Sequence, residues 1–221
     1  MTTSATSSRS ALKQLQLPRI GLGMAALGRP GYINLGHSED IADRSVEAMR
    51  KQAHTTLDAA YEAGIRYVDC ARSYGLSEDF VKTWLDTKPP DVAQSVVVGS
   101  KWGYEYTADW RVEVGAGEAH EVKKHTVTQH TRQLAETRAL LADKLALYQI
   151  HSATEESGVL EAADVLEALA ALASGLALIV VARRTTCFER LLGHAMRLRS
   201  HHNAEDDVEE RGGMAGQTLR A

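Results

Sequence analysis

Three strand-like runs in this sequence end in residues suited to chemistry rather than to packing, and this limits the possible folds more than any other feature. Ile65-Arg66-Tyr67-Val68-Asp69 contains the strand formers Tyr67 and Val68 and stops at a carboxylate. The residues that follow, Cys70-Ala71-Arg72-Ser73-Tyr74-Gly75, read as a polar turn. Val96-Val97-Val98-Gly99-Ser100-Lys101 ends in a lysine, and Leu145-Ala146-Leu147-Tyr148-Gln149-Ile150-His151 in a histidine. A carboxylate, an ammonium and an imidazole at three successive strand ends, with a tyrosine on the loop after the first, are what a parallel sheet with its site at the carboxyl edge presents.

The segments between these runs alternate with them. Gly21-Leu22-Gly23, following Ile20, reads as a first strand, and Gly28 to Gly36 as a glycine-rich loop. Val46, Met49, Ala53, Leu57 and Ala60 recur at helical spacing, which predicts a helix over about Ser45 to Ala63 with Gly64 as its stop. The second strand is Tyr67 to Asp69. Ser77 reads as the N-cap of a helix over Glu78 to Thr87, closed by Pro89-Pro90. A third strand spans Val96 to Ser100. Tyr104 to His125 is a long polar and aromatic loop, of the kind that often carries function. A helix over Thr126 to Ala142 puts Val127, Leu134 and Leu141 on one side. The fourth strand is Leu145 to Ile150, then comes a helix over Val159 to Ala173, and a fifth strand over Leu176 to Val181. Strands alternating with helices in this way imply an α/β fold with parallel strands.

These segments together resemble the aldo-keto reductase family. The matching pieces are Arg19-Ile20-Gly21-Leu22-Gly23-Met24, Val68-Asp69 through Tyr74-Gly75 with Ser77-Glu78, Ser100-Lys101, and Tyr148-Gln149-Ile150-His151. They extend over about residues 12 to 178. The resemblance implies a (β/α)8 barrel of which this chain holds about five βα units, and an NADP(H)-dependent reduction of a small carbonyl substrate. It carries the family's catalytic roles onto Asp69, Tyr74, Lys101 and His151, and puts Gly23, Met24 and Asp69 near the cofactor. Trp102 and Tyr104, with Tyr106 and Trp110, are candidates to line an apolar substrate pocket; packing of the long loop is the other reading of the same residues. Taken singly, Asp69 also reads as a cap, Tyr74 as a rim residue, Lys101 as a solvated charge and His151 as a core histidine.

The implied chemistry needs a hydride on carbon, carried by the cofactor, and a proton on oxygen. Tyr74 would give the proton. A free tyrosine titrates near pH 10, so a neighbouring ammonium from Lys101 is needed to favour its phenolate. Asp69 would hold Lys101, and His151, neutral beside that cation, would orient the substrate oxygen.

Composition narrows the alternatives. A net charge of −4 gives no support for nucleic-acid binding, and 44% hydrophobic content over 221 residues suffices for one core. Two cysteines, Cys70 and Cys187, far apart and without metal spacing, point to a reducing, cytoplasmic setting. No apolar run approaches a membrane span. His120, His125 and His130 fall at five-residue steps that do not stack on a helix, so no metal site is expected there.

The end of the chain departs from the pattern. A full barrel takes about 250 residues, and here one further helix (Phe188 to Arg199) and a polar tail follow the fifth strand. Where the family would place polar cofactor contacts stands Ile179-Val180-Val181-Ala182-Arg183-Arg184. The expected organisation is a disordered start over 1–10, a partial barrel over 11–200 and a disordered tail over 201–221, in a truncated or frame-altered family member. Its open sheet edges invite self-association. Two functions follow: a carbonyl reductase, or an impaired relative that acts, if at all, by binding a partner.

Overall fold

The computed structural model describes residues 20–31 and 43–172 and the backbone of 177–179. Expectations for 1–10, Phe188 to Arg199 and 201–221 lie outside the described residues. Within them, strands β1 (Leu22–Gly23), β2 (Tyr67–Asp69), β3 (Val97–Trp102), β6 (Leu145–Ile150) and β7 (Ala177–Ile179) form one parallel sheet in the order β1-β2-β3-β6-β7. The strands added in this order, with helices between them, are the wall of a partial α/β barrel. A separate antiparallel ribbon joins β4 (Tyr104–Tyr106) to β5 (Glu121–Lys123). The helices are α1 (Ala25–Gly28), α2 (Val46–Glu62), α3 (Ser77–Asp86), α4 (Pro90–Ser95), α5 (Val127–Leu141) and α6 (Ala163–Leu172).

Local chemistry explains most boundaries. Ser45 caps α2, its hydroxyl accepting from the Ala48 amide at 3.2 Å. At the other end Gly64, at φ +89°, passes its amide to Tyr61 O while Ile65 bonds Ala60 O. This paired closure suits glycine, which enters the left-handed region without strain. Thr126 caps α5 in the same manner as Ser45 caps α2.

Four expectations are corrected. Ser77 is the first helical residue of α3 rather than its cap; its hydroxyl donates to Ala71 O at 3.2 Å, tying the helix to the loop after β2. Pro90 does not merely end α3 but begins α4, since a proline at the first helical position loses no hydrogen bond. The long loop folds on itself as the β4–β5 ribbon. The helix expected from Val159 starts only at Ala163.

The parallel register sorts the side chains onto two faces. Val68, Val98, Trp102, Tyr148 and Ile150 lie beneath the helices and are almost fully buried, against Met49, Ala53 and Leu57 of α2, Phe80, Val81 and Trp84 of α3, and Val165 and Leu169 of α6. Burying each large apolar side chain contributes about 1.5–3 kcal/mol. The opposite face carries Tyr67, Asp69, Lys101 and Gln149. Gly21 and Gly99 flank the Tyr67 ring there; a side chain on Gly21 would come within 2.5 Å of it, and one on Gly99 would run into its hydroxyl.

Helix α5 packs by polar contacts. Its buried residues are Gln129, His130, Gln133, Thr137 and Leu141, while Val127 and Leu134 stay half-buried. Gln133 accepts from the Gly103 amide at 2.9 Å and donates to Tyr104 O at 2.7 Å, which fixes the turn from β3 into the ribbon. Thr137 donates at 2.8 Å to Glu78, which is 1% exposed. That carboxylate also takes Ser100 Oγ at 2.5 Å and Arg72 Nη1 at 2.6 Å. Arg72 also pairs with Glu136 at 2.9 Å, so replacing Glu78 leaves the guanidinium one charge partner while weakening three hydrogen bonds to the buried carboxylate. Glu78→Gln is therefore expected to lower the unfolding free energy by about 1–3 kcal/mol, read as a reduced urea midpoint followed by tryptophan fluorescence.

Candidate active site

Asp69 and Lys101 stand on neighbouring strands β2 and β3, on the face away from the helices. Lys101 Nζ lies 2.5 Å from Asp69 Oδ2 and also donates to Cys70 O at 2.9 Å and to the Tyr74 hydroxyl at 3.4 Å. Its ammonium sits 4.7 Å from the centre of the Tyr74 ring. The other Asp69 oxygen faces Tyr67 Oη and Gln149 Nε2, each at 3.4 Å. The carboxylate is thus held from three sides and aims one oxygen at the lysine.

Tyr74 reaches this point because its loop is clamped. Leu76 N bonds Gly28 O at 2.8 Å, and Ser77 N bonds Tyr74 O at 3.1 Å. A side chain on Gly28 would collide with Tyr74 O, and one on Gly75 would come within 2.5 Å of Gly28 O. Gly75 also stands at φ +60°. Two glycines in mutual contact let α1 press against the tyrosine loop.

His151 follows β6 directly. Its amide donates to Trp102 O at 2.8 Å, and its carbonyl is 2.9 Å from His125 Nε2. The imidazole meets the Tyr74 ring edge-on at 5.4 Å, lies 4.9 Å from the Tyr104 ring, and has Nδ1 3.2 Å from Ser73 Oγ. The chain turns sharply past it, with Ser152 at φ +53°. Burial, then Lys101, Arg29, His125 and Lys123, push the His151 pKa down to about 3, so the ring is neutral at physiological pH.

The four candidate catalytic residues are brought to one point, and Tyr104 joins them. Gly23 pairs with Asp69 in the sheet and is exposed, with open space on its side-chain side. Two other expectations are corrected. Trp102 is 0% exposed: Lys101 takes the inner face, so the next residue turns under α5, where its ring packs 4.9 Å from His130 and 5.8 Å from His125. It packs the core and offers no pocket wall. Met24 is likewise 0% exposed, its side chain in the core and its amide bonded to Asp69 O, so it presents no surface to a ligand. Trp110 packs edge-on against Phe80, and Tyr106 Oη accepts from the Trp110 amide.

Sequence reasoning missed Arg29 and Ser73. Arg29 is 2% exposed, donates to Ser73 O at 2.9 Å and pairs with Glu121 of β5 at 3.0 Å. An arginine within a glycine-rich stretch gives no sign that it will be buried.

Among the described residues no helix is long and apolar enough to cross a membrane. The sequence profile of the Aldo/keto reductase family matches residues 19–178. Over 157 residues the chain is 24% identical to YqkF of Bacillus subtilis (strain 168), described as an uncharacterized oxidoreductase, covering 70% of this chain and 42% of that one. Among solved structures it is similar to a presumptive aldo-keto reductase from Pseudomonas aeruginosa, at 22% identity and TM-score 0.54, covering 75% of this chain and 56% of that one. It is also similar to the glycerol dehydrogenase of Gluconobacter oxydans, at 20% identity and TM-score 0.54, covering 80% and 48%. The chain spans about half the length of these relatives.

Two measurements test this assignment of roles. Trp102→Ala is expected to cost about 3–5 kcal/mol of stability, as for other buried aromatic truncations, in a chemical denaturation series. The lowered His151 pKa has a definite sign. The unfolded chain takes up the proton near pH 6.5 and the folded chain only near 3, so stability is lost as pH falls through that window. Unfolding free energies at pH 7.5 and pH 5 are expected to differ more for the native sequence than for His151→Asn, which has no proton to gain.

Proposed function

The chain belongs to the aldo/keto reductase family, and on that premise we propose that it reduces an aldehyde or ketone with NADP(H), Tyr74 acting as the proton donor. The observation that carries this reading is the position of Lys101 Nζ, 2.5 Å from Asp69 and 3.4 Å from the Tyr74 oxygen.

Strand end β1–β2 fits the nicotinamide portion of the cofactor. Gly23 is exposed beside Asp69, and an added side chain there would meet no atom within 4 Å, which leaves open space next to the carboxylate. Gln149 brings an amide to the same carboxylate. The resemblance puts polar cofactor contacts at the end of the fifth strand, past Ile179 and outside the described residues, and the basic groups for the cofactor's extra phosphate in the C-terminal part of the full barrel. When bound, NADPH supplies the hydride.

The residues of the chain do the rest. His151, neutral, donates to the carbonyl oxygen and orients it. Tyr74 passes its phenolic proton to that oxygen as carbon takes the hydride, and the charge left on the phenolate faces the Lys101 ammonium. Asp69 keeps the ammonium in place; in a partly buried site this attraction is several times stronger than in water. Tyr104 stands against His151 and would contact the substrate.

The test is purified chain titrated with NADPH by fluorescence and assayed on simple aldehydes. Tyr74→Phe is expected to lower turnover by about 100-fold or more while leaving NADPH affinity unchanged, because only the proton donor is lost. A chain that neither binds NADPH nor turns over an aldehyde would favour the second reading, a binding or interaction protein.

A further inference from the structure

We propose that Ser73 is a positioning residue for His151: its hydroxyl donates to Nδ1 and thereby holds the imidazole with its own proton on Nε2. The inference deepens the proposed reductase reading and rests on it for its catalytic meaning.

The geometry supplies the argument. Ser73 is 1% exposed, and its Oγ lies 3.2 Å from His151 Nδ1. Among the described residues this is the one hydrogen bond its hydroxyl makes. If Nδ1 carried the imidazole proton, it would donate to Oγ, and the serine's own proton would be left buried without an acceptor. A stranded buried donor costs about 1–3 kcal/mol, whereas a spare lone pair on a hydroxyl oxygen costs less. The serine must therefore donate, and the neutral ring must then carry its proton on Nε2. That nitrogen makes no hydrogen bond among the described residues, so it is the one available to a carbonyl oxygen.

The serine is itself held. Its carbonyl accepts from Arg29 Nη1 at 2.9 Å, and the same nitrogen pairs with Glu121 at 3.0 Å. Arg29 lies in the turn after α1 and Glu121 in the ribbon, so two separate pieces of chain fix the backbone from which Ser73 reaches the histidine. The sequence Arg72-Ser73-Tyr74 thus makes three contacts in succession: Arg72 with Glu78, Ser73 with His151, and Tyr74 with Lys101.

The experiment is a long-range proton–nitrogen correlation spectrum of the full chain labelled with 15N-histidine, with the His151 signals identified by their loss in His151→Gln. The expected pattern is a protonated Nε2 and a bare, hydrogen-bonded Nδ1. Ser73→Ala is expected to remove the Nδ1 hydrogen-bond shift and populate the other tautomer; Ser73→Thr, which keeps the hydroxyl, is expected to restore the native pattern. A native spectrum with the proton on Nδ1 overturns the proposal even if no variant folds, and so does an unchanged pattern in Ser73→Ala. The readout needs no cofactor or turnover. A chain with the expected tautomer but no reductase activity would sink the functional reading alone, and an active chain with the wrong tautomer would sink this one alone.

Discussion

The buried carboxylate of Glu78 is the interaction on which the rest of the structure depends. It accepts from Arg72 on the loop after β2, from Ser100 on β3 and from Thr137 on α5. Removing a carboxylate from water costs several kcal/mol, and it is tolerated here because both oxygens are bonded and a guanidinium faces it. The same contacts set the site. Arg72 precedes the Ser73-Tyr74 pair by one residue, and Ser100 precedes Lys101. Fixing the outer-facing member of each pair fixes where the inner-facing one emerges.

The site that results contains one ion pair and one neutral donor. Lys101 and Asp69 satisfy each other, while Lys101, Arg29 and Lys123 surround His151 with positive charge that opposes its protonation. Burial works in the same direction. A cationic imidazole beside the ammonium would compete with Lys101 for the charge on Tyr74, so the neutral ring is the form that complements the ion pair.

Most of the site's rigidity comes from segments with little regular structure of their own. The contact between Gly28 and Gly75 lets α1 lie against the tyrosine loop without side chains intervening. The ribbon brings Glu121 to Arg29 and Tyr104 to His151. Gln133 then pins the ribbon's first turn to α5. Loops held this way at the carboxyl ends of parallel strands carry the functional side chains on a packed scaffold.

By itself the sequence determined the strand–helix alternation and the identity of the residues at three strand ends. Both are local: Tyr67-Val68 and Val97-Val98 favour extended backbone wherever they sit, and a polar residue closing such a run must fall at its edge. The α2 boundaries were legible for the same reason, since Ser45 and Gly64 act on their immediate neighbours. The tertiary structure decided which way each side chain faces. Trp102 and Lys101 are adjacent in sequence, and only the pairing of β3 with β2 and β6, with α5 laid over one side, sends the lysine to the site and the tryptophan into the core. Ser73 and Arg29 carry no sequence signal because their partners are distant, 78 and 92 residues away in the contacts to His151 and Glu121. Glu78, although part of a recognisable motif, becomes a buried hub only when a loop, a strand and a helix close around it, because its cost in low dielectric is offset by partners that no local segment supplies.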